Sequence, residues 1–227
     1  WIGLDSCAMS PEIRSILKLI LLTGQRPGEV SAMHRSEIDG RWWEFTPKET
    51  SITKRTPRKQ RIYLTDTALA IVGTSQDYIF TSPITRFDEN ENVIPTPITE
   101  RAVTYALRRN LATHTVIPKP ATWRKSNNKT KSKKPFKVSA EKMLNIEKFV
   151  PHDLRRSCAT MLSNIGFSDA IVDAVLAHLK KGEIRTYNKN KYDKEKQQAM
   201  EAWERKLLSI ITGVEGNVIP MKRKSAR

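Results

Sequence analysis

Ser10-Pro11-Glu12-Ile13-Arg14-Ser15-Ile16-Leu17-Lys18-Leu19-Ile20-Leu21-Leu22-Thr23-Gly24-Gln25-Arg26-Pro27-Gly28-Glu29 holds a complete helix and the turn that leaves it. Ser10 is a capping residue, Pro11 suits the first helical position, and Glu12 faces the positive end of the helix. Ile13, Ile16, Leu17, Ile20 and Leu21 recur at helical spacing, so this helix belongs in a core. Gly24 stops it, as glycine does by taking the left-handed conformation. Arg26 then stands on a glycine-bearing turn just past the helix end. Pro27 to Met33 can open a second short helix.

Further along, Arg41-Trp42-Trp43-Glu44-Phe45 and Arg61-Ile62-Tyr63-Leu64 read as strands, and the lysine-rich stretch between them as a β-hairpin arm. Thr65-Asp66 caps a helix running through Val72. Tyr78-Ile79-Phe80 is a short buried segment. Helices are expected from Thr99 to about Leu111 and from Asp153 to Asn164. Another runs from a Ser168-Asp169 cap to Leu179, with Ile171, Val172, Val175 and Leu176 inward. Gly182 breaks the chain before a short helix carrying Tyr187. A long amphipathic helix from Asp193 to Ile211 sets Ala199, Met200, Trp203, Leu207 and Leu208 on one side. The fold class is therefore α+β: mostly helical, with one small antiparallel sheet.

The chain has 227 residues, a hydrophobic fraction of 38% and a formal net charge of +16. That length allows a real core, and that charge seeks a polyanion, of which nucleic acid is the usual one. Residues 119–148 hold ten Lys or Arg against two Glu, half of the net charge. They read as a basic loop able to neutralise phosphates. No run of 18 apolar residues suggests a membrane span. Cys7 and Cys158 lie far apart with no CxxC partner, so no zinc site or disulfide framework is expected. Cys158 falls on an apolar helical stripe, where a buried thiol suits it. These features suggest a reduced, cytoplasmic setting. No signal-peptide pattern is visible, and a chain beginning at Trp1 reads as a piece of a longer protein.

Several residues carry chemistry suited to a phosphodiester. Negative charge grows on the phosphate oxygens during displacement, so fixed cations are needed there. Arginine meets that need with a planar fork that never loses its charge. Arg26 and Arg155 are the candidates. His152 lies three residues before Arg155, on one helix face behind Pro151. His178 closes an apolar helix, where a capping role is the plainer alternative. Tyr187, nine residues on, could serve as nucleophile, since cations ease its ionisation and a neutral histidine can accept its proton. Tyr192 competes with it. A hairpin lysine could protonate the leaving oxygen; Lys54 is the choice, with Lys48 and Lys59 as rivals. No HExxH, paired-carboxylate set or glycine-rich phosphate loop is present, so no metal or other cofactor is expected.

Four of these segments resemble, in order, the boxes of the tyrosine recombinases of the phage integrase family. Thr23-Gly24-Gln25-Arg26-Pro27-Gly28-Glu29 resembles the first arginine box, and Pro151-His152-Asp153-Leu154-Arg155-Arg156-Ser157 the HxxR box. Leu176-Ala177-His178 resembles the LGH element, with alanine where glycine is common. Thr186-Tyr187-Asn188-Lys189 resembles the nucleophile element, and favours Tyr187 over Tyr192. Ala202-Trp203 resembles the last helix of the genomic-island and satellite-phage branch. The resemblance spans about residues 10 to 211.

It implies a domain that clamps duplex DNA, with Arg26, Lys54, His152, Arg155 and His178 around the scissile phosphate. Tyr187 would form a 3′-phosphotyrosyl bond and release a 5′-hydroxyl, conserving bond energy so that rejoining needs neither metal nor ATP. It further implies a tetramer on DNA, accessory bending or directionality proteins, and integration or excision of a mobile element. Residues 1–213 would form the catalytic domain and 214–227 a basic tail. The N-terminal DNA-binding domains that integrases carry are not visible in this sequence. Two other functions fit less well: a type IB topoisomerase, and a DNA-binding module without catalysis.

Overall fold

The computed structural model describes residues 1–46, 59–111, 142–177 and 192–214. In chain order they form α1 (Ile2–Ser6), α2 (Pro11–Thr23), α3 (Pro27–Ser31), a 3-10 turn (Arg35–Glu37), β1 (Ile38–Asp39), β2 (Trp42–Phe45) and β3 (Gln60–Tyr63). After these come α4 (Asp66–Val72), β4 (Arg86–Phe87), β5 (Val93–Ile94), α5 (Glu100–Asn110), α6 (Pro151–Ile165), α7 (Asp169–Leu176) and α8 (Asp193–Thr212). The α+β expectation holds, with one addition. Besides the antiparallel sheet β1-β2-β3 there is a separate two-stranded ribbon, β4-β5.

Helix α2 is the hub, packing against α3, α4, α5, α6 and α8. Ser10 Oγ accepts from Ile13 N, and Gly24 ends the helix at φ 65°. Its burial exceeds the expected single stripe. Ile16, Leu17 and Ile20 are fully buried, but so is Leu19, and Leu22 nearly so. Neighbours on several sides bury more than one stripe, and each such side chain contributes roughly 1.5–3 kcal/mol.

In the three-stranded sheet, Trp43 pairs with Ile62 and Glu44 with Arg61. Side chains alternate between the faces of β2. Trp43 and Phe45 stack inward with ring centroids 4.2 Å apart. On the other face Arg61 lies 4.3 Å over the Trp42 ring and pairs with Glu44 at 2.8 Å. Helix α8 closes this face and reaches the hub. Arg61 also pairs with Asp193, Lys196 Nζ donates to the Arg61 carbonyl (2.9 Å), and Trp203 Nε1 donates to the Leu21 carbonyl (2.9 Å).

Three local expectations need correction. Thr65 and Ser168 occupy N-cap positions, but neither side chain makes a capping bond. For α4, Glu204 of α8 accepts from Thr67 N at 2.8 Å. Leu208 is 39% exposed, because it lies off the side of α8 on which Trp203, Leu207 and, a turn further on, Ile211 meet the core. Helix α7 stops at Leu176 rather than Leu179, since Ala177 turns left-handed at φ 55°. The hairpin arm and the segment carrying Tyr187 lie outside the described residues, as does 119–141 of the basic stretch. The end of that stretch is tied down: Lys142 O accepts from Ala8 N, and Leu144 N donates to Asn110 O.

Candidate active site

The turn after α2 is shaped by its glycine and its proline. At Gly24 a Cβ would lie 2.9 Å from Cys158 Sγ and 3.0 Å from Leu176 Cδ2, at a φ that side chains rarely adopt. Only glycine lets α2, α6 and α7 meet this closely. Pro27 begins α3 and holds the preceding Arg26 extended (φ −65°, ψ 142°). The Arg26 carbonyl accepts from Glu29 N and Val30 N, each at 3.0 Å. Its side chain is half-buried.

Helix α6 brings the second arginine. Val150 is extended before Pro151, and Asp153 Oδ2 accepts from Val150 N at 2.9 Å, capping the helix start. One turn later Arg155 is only 3% exposed. Its Nη1 donates to Gly24 O (2.8 Å) and its Nη2 to Leu176 O (2.7 Å). Burial lowers its pKa to about 10, and Arg26 adds to that push more than Glu29 opposes it. It stays charged at neutral pH.

His152 stands at the outer edge of the same helix face, more exposed than Arg155. Its pKa is lowered, first by partial burial and then by Arg155, Arg156 and Arg26. A histidine held neutral in this way can accept a proton. The sequence-predicted Arg26, His152 and Arg155 are thus gathered at one place, near enough to act on one another electrically.

Sequence reasoning missed Gln25. This side chain is 1% exposed, and its Nε2 donates to Thr23 O (2.9 Å) and Val175 O (2.8 Å). Gln25 and Arg155 together satisfy two carbonyls at the end of α7, which a helix C-terminus otherwise leaves without partners. They fix the point from which His178 departs. Within the first box, only the unusual polar residue between Gly24 and Arg26 hinted at such a role. Ala177 is left-handed here, a conformation costing a non-glycine residue roughly 1–2 kcal/mol. That is a physical reason for glycine at this place.

Lys54, His178 and Tyr187 lie outside the described residues, as does Lys48. The flanking positions are visible: α7 ends at Leu176 with Ala177 as its cap, and Tyr192 precedes α8 at φ 53°. The rival Lys59 pairs with Glu44 at the base of the hairpin. Among the described residues no group of three or more His, Cys, Asp or Glu could hold a metal ion. No described helix is long and apolar enough to cross a membrane.

Fold and site together define an α+β domain whose clustered cations suit a phosphate-bearing ligand. The phage integrase family matches residues 5–194, most of the chain, and the protein belongs to that family. Its function is accordingly that of a tyrosine recombinase acting on DNA. Neither the curated proteins nor the solved structures compared with the chain gave a match.

Proposed function

We propose that the protein is a site-specific integrase that cuts and rejoins duplex DNA at the attachment sites of a mobile element. The observation that supports this reading is that Arg155, buried and held by the Gly24 and Leu176 carbonyls, feels Arg26 as the strongest charge acting on it, with the pKa of His152 lowered on the same helix. Two like charges held together by a fold repel one another. A phosphate dianion-like transition state between them would reverse that repulsion into attraction.

In the proposed step Tyr187 Oη attacks phosphorus, and its proton passes to His152. Arg26 and Arg155 hold the non-bridging oxygens, with His178 beside them. The P–O5′ bond breaks, and Lys54 gives its proton to the leaving 5′-oxygen. A 3′-phosphotyrosyl ester remains, and a 5′-hydroxyl of another strand reverses the step. The chain's own cations stabilise the charge, so no metal or nucleotide is assigned. Residues 1–213 act as the catalytic unit, with 214–227 as a tail and the basic 119–148 stretch against the DNA backbone. The assembly at synapsis is a tetramer, aided by DNA-bending or directionality proteins, in the cytoplasm of a host cell. The Ala202-Trp203 pair favours the genomic-island branch.

Incubation with a nicked suicide substrate carrying the element's attachment site tests this. Wild type should accumulate a covalent protein–DNA adduct. Tyr187→Phe should form none while still binding DNA, because only one hydroxyl is lost. An adduct surviving in Tyr187→Phe, or vanishing only in Tyr192→Phe, would remove Tyr187 from its role.

A further inference from the structure

Helix α8 begins without a side-chain cap, since Tyr192 makes no capping bond. Its first turn is held from outside instead. Asp193, the first helical residue, pairs through Oδ2 with Arg61 Nη1, and Lys196 Nζ donates to the Arg61 carbonyl at 2.9 Å. Both contacts fall on one residue of β3. The Arg61 guanidinium is itself fixed from two other sides. It lies 4.3 Å over the Trp42 ring, and its Nε stands 2.8 Å from Glu44 Oε1. The Arg61 and Asp193 side chains are 32% and 29% exposed, so the pair is about two-thirds covered.

Neither element needs this pair to stay in place. Strand β3 is already paired with β2 over four residues. Helix α8 is anchored by Ala199, Met200, Trp203 and Leu207, all buried. A part-exposed ion pair adds little to stability. What this one fixes is a single point of the backbone, the start of α8. That point matters because of what precedes it. Tyr187 lies six residues before Asp193 and ten after Ala177. An extended chain spans roughly 3.3–3.6 Å per residue, so the tether from Asp193 is at most about 20 Å and the other about 35 Å. The shorter tether sets how closely the tyrosine is confined. With Asp193 released, the next hold is Lys196, nine residues from Tyr187, and the tether grows by half.

We propose that Arg61 is a positioning residue for strand cleavage: by clasping Asp193 it fixes the near end of the Tyr187 tether to β3. This rests on Tyr187 being the nucleophile. Arginine suits the task because its fork reaches carboxylates on two different elements while its flat face covers Trp42. Arg61 also lies seven residues after Lys54. A defect at Arg61 therefore has two routes to the chemistry, and the test separates them.

Whole-chain Arg61→Met and Asp193→Ala are compared with wild type in single-turnover cleavage at saturating attachment-site DNA. Each should cleave about tenfold more slowly with DNA affinity unchanged, because a loosened group loses reach rather than binding. The double variant should be no slower than either single one, since both cut the same link. Arg61→Lys should fall between. A substrate with sulfur in place of the leaving 5′-oxygen decides the route. Thiols are far more acidic than alcohols, so the sulfur leaves without a proton from the lysine, and the defect should persist. The proposal is overturned by recovery on the sulfur substrate, by additive losses in the double variant, or by full cleavage in the variants. It is equally overturned if melting temperature falls and cleavage merely follows the folded fraction. If wild type itself leaves no adduct on Tyr187, the nucleophile assignment fails and this inference with it. A normal wild-type adduct with undisturbed variants removes the inference alone.

Discussion

Two helices in this protein each bury a cation, and the two sites are built on opposite plans. Lys196 of α8 is 7% exposed and donates to the Arg61 carbonyl. Burial lowers its pKa, but the strongest charge acting on it is the attractive Asp193, which also pairs with Arg61. Arg155 of α6 is equally buried and also donates to carbonyls. The strongest charge acting on it is the repulsive Arg26. A buried charge needs compensation. At Lys196 an attractive carboxylate outweighs the nearby Arg61, and at Arg155 a second cation outweighs the attraction of Glu29. The first plan fastens a helix to a sheet. The second leaves a demand that an anion from outside can meet.

If that contrast is right, the largest effect belongs to the arginines. Arg26→Ala and Arg155→Ala should each slow single-turnover cleavage by roughly a hundredfold or more. Lysine at either place should rescue poorly, because a point charge cannot bind two oxygens at once. Near-normal cleavage by Arg26→Ala would show that the paired cations are no phosphate site.

Gln25→Met keeps the volume and removes the donors, leaving the Val175 carbonyl buried without its partner. We expect a loss of about 1–3 kcal/mol of stability. Cleavage should fall by about tenfold with DNA affinity unchanged, since a displaced catalytic group loses reach rather than binding. A drop in melting temperature with full cleavage would make Gln25 a purely structural clasp.

The arginines should also be felt through His152 as a pH effect. Its folded pKa is lowered, so as pH falls through about 6.5 the unfolded chain takes up a proton first. Stability should therefore decline from there until the folded pKa is passed. Thermal melts between pH 7 and 5 should show a steeper decline for wild type than for His152→Gln. Parallel curves would mean that the cation cluster does not reach the histidine.

Smallest of all, Lys196→Met should leave cleavage almost untouched and shift stability by no more than about 1–2 kcal/mol, since the lost carbonyl bond is offset by an easier burial. A large cleavage defect in a well-folded Lys196→Met protein would erase the distinction between the two cations.

Much of the scaffold was legible because its signals are local. Ser10, Pro11 and Gly24 mark both ends of α2, Pro27 and Pro151 mark two helix starts, and Thr99 caps α5 through Ala102 N. Arg26, His152 and Arg155 could be singled out by residue type and order. What escaped depends on distant partners. Gln25 meets a carbonyl 150 residues away, and Glu204 takes over the capping that Thr65 seemed to offer. The β4-β5 ribbon has strands of two residues each, too short for any alternation to register. Leu208 falls one position off the Trp203, Leu207, Ile211 line that meets the core, a difference too small for periodicity alone to resolve.

The close seating of Gly24 on Cys158 has a practical side. Cys158 is fully buried and its thiol pKa is pushed up to about 12, so it is scarcely nucleophilic in the closed molecule. Cys7 is buried too, its Sγ–H directed at the Leu4 carbonyl. The two thiols report on different doors, one beside α1 and the other at the seam where the first arginine turn meets α6. The rate at which a reagent captures Cys158 would time the opening of that seam, with no label added to the protein. Bound DNA should then be readable as a slower clock.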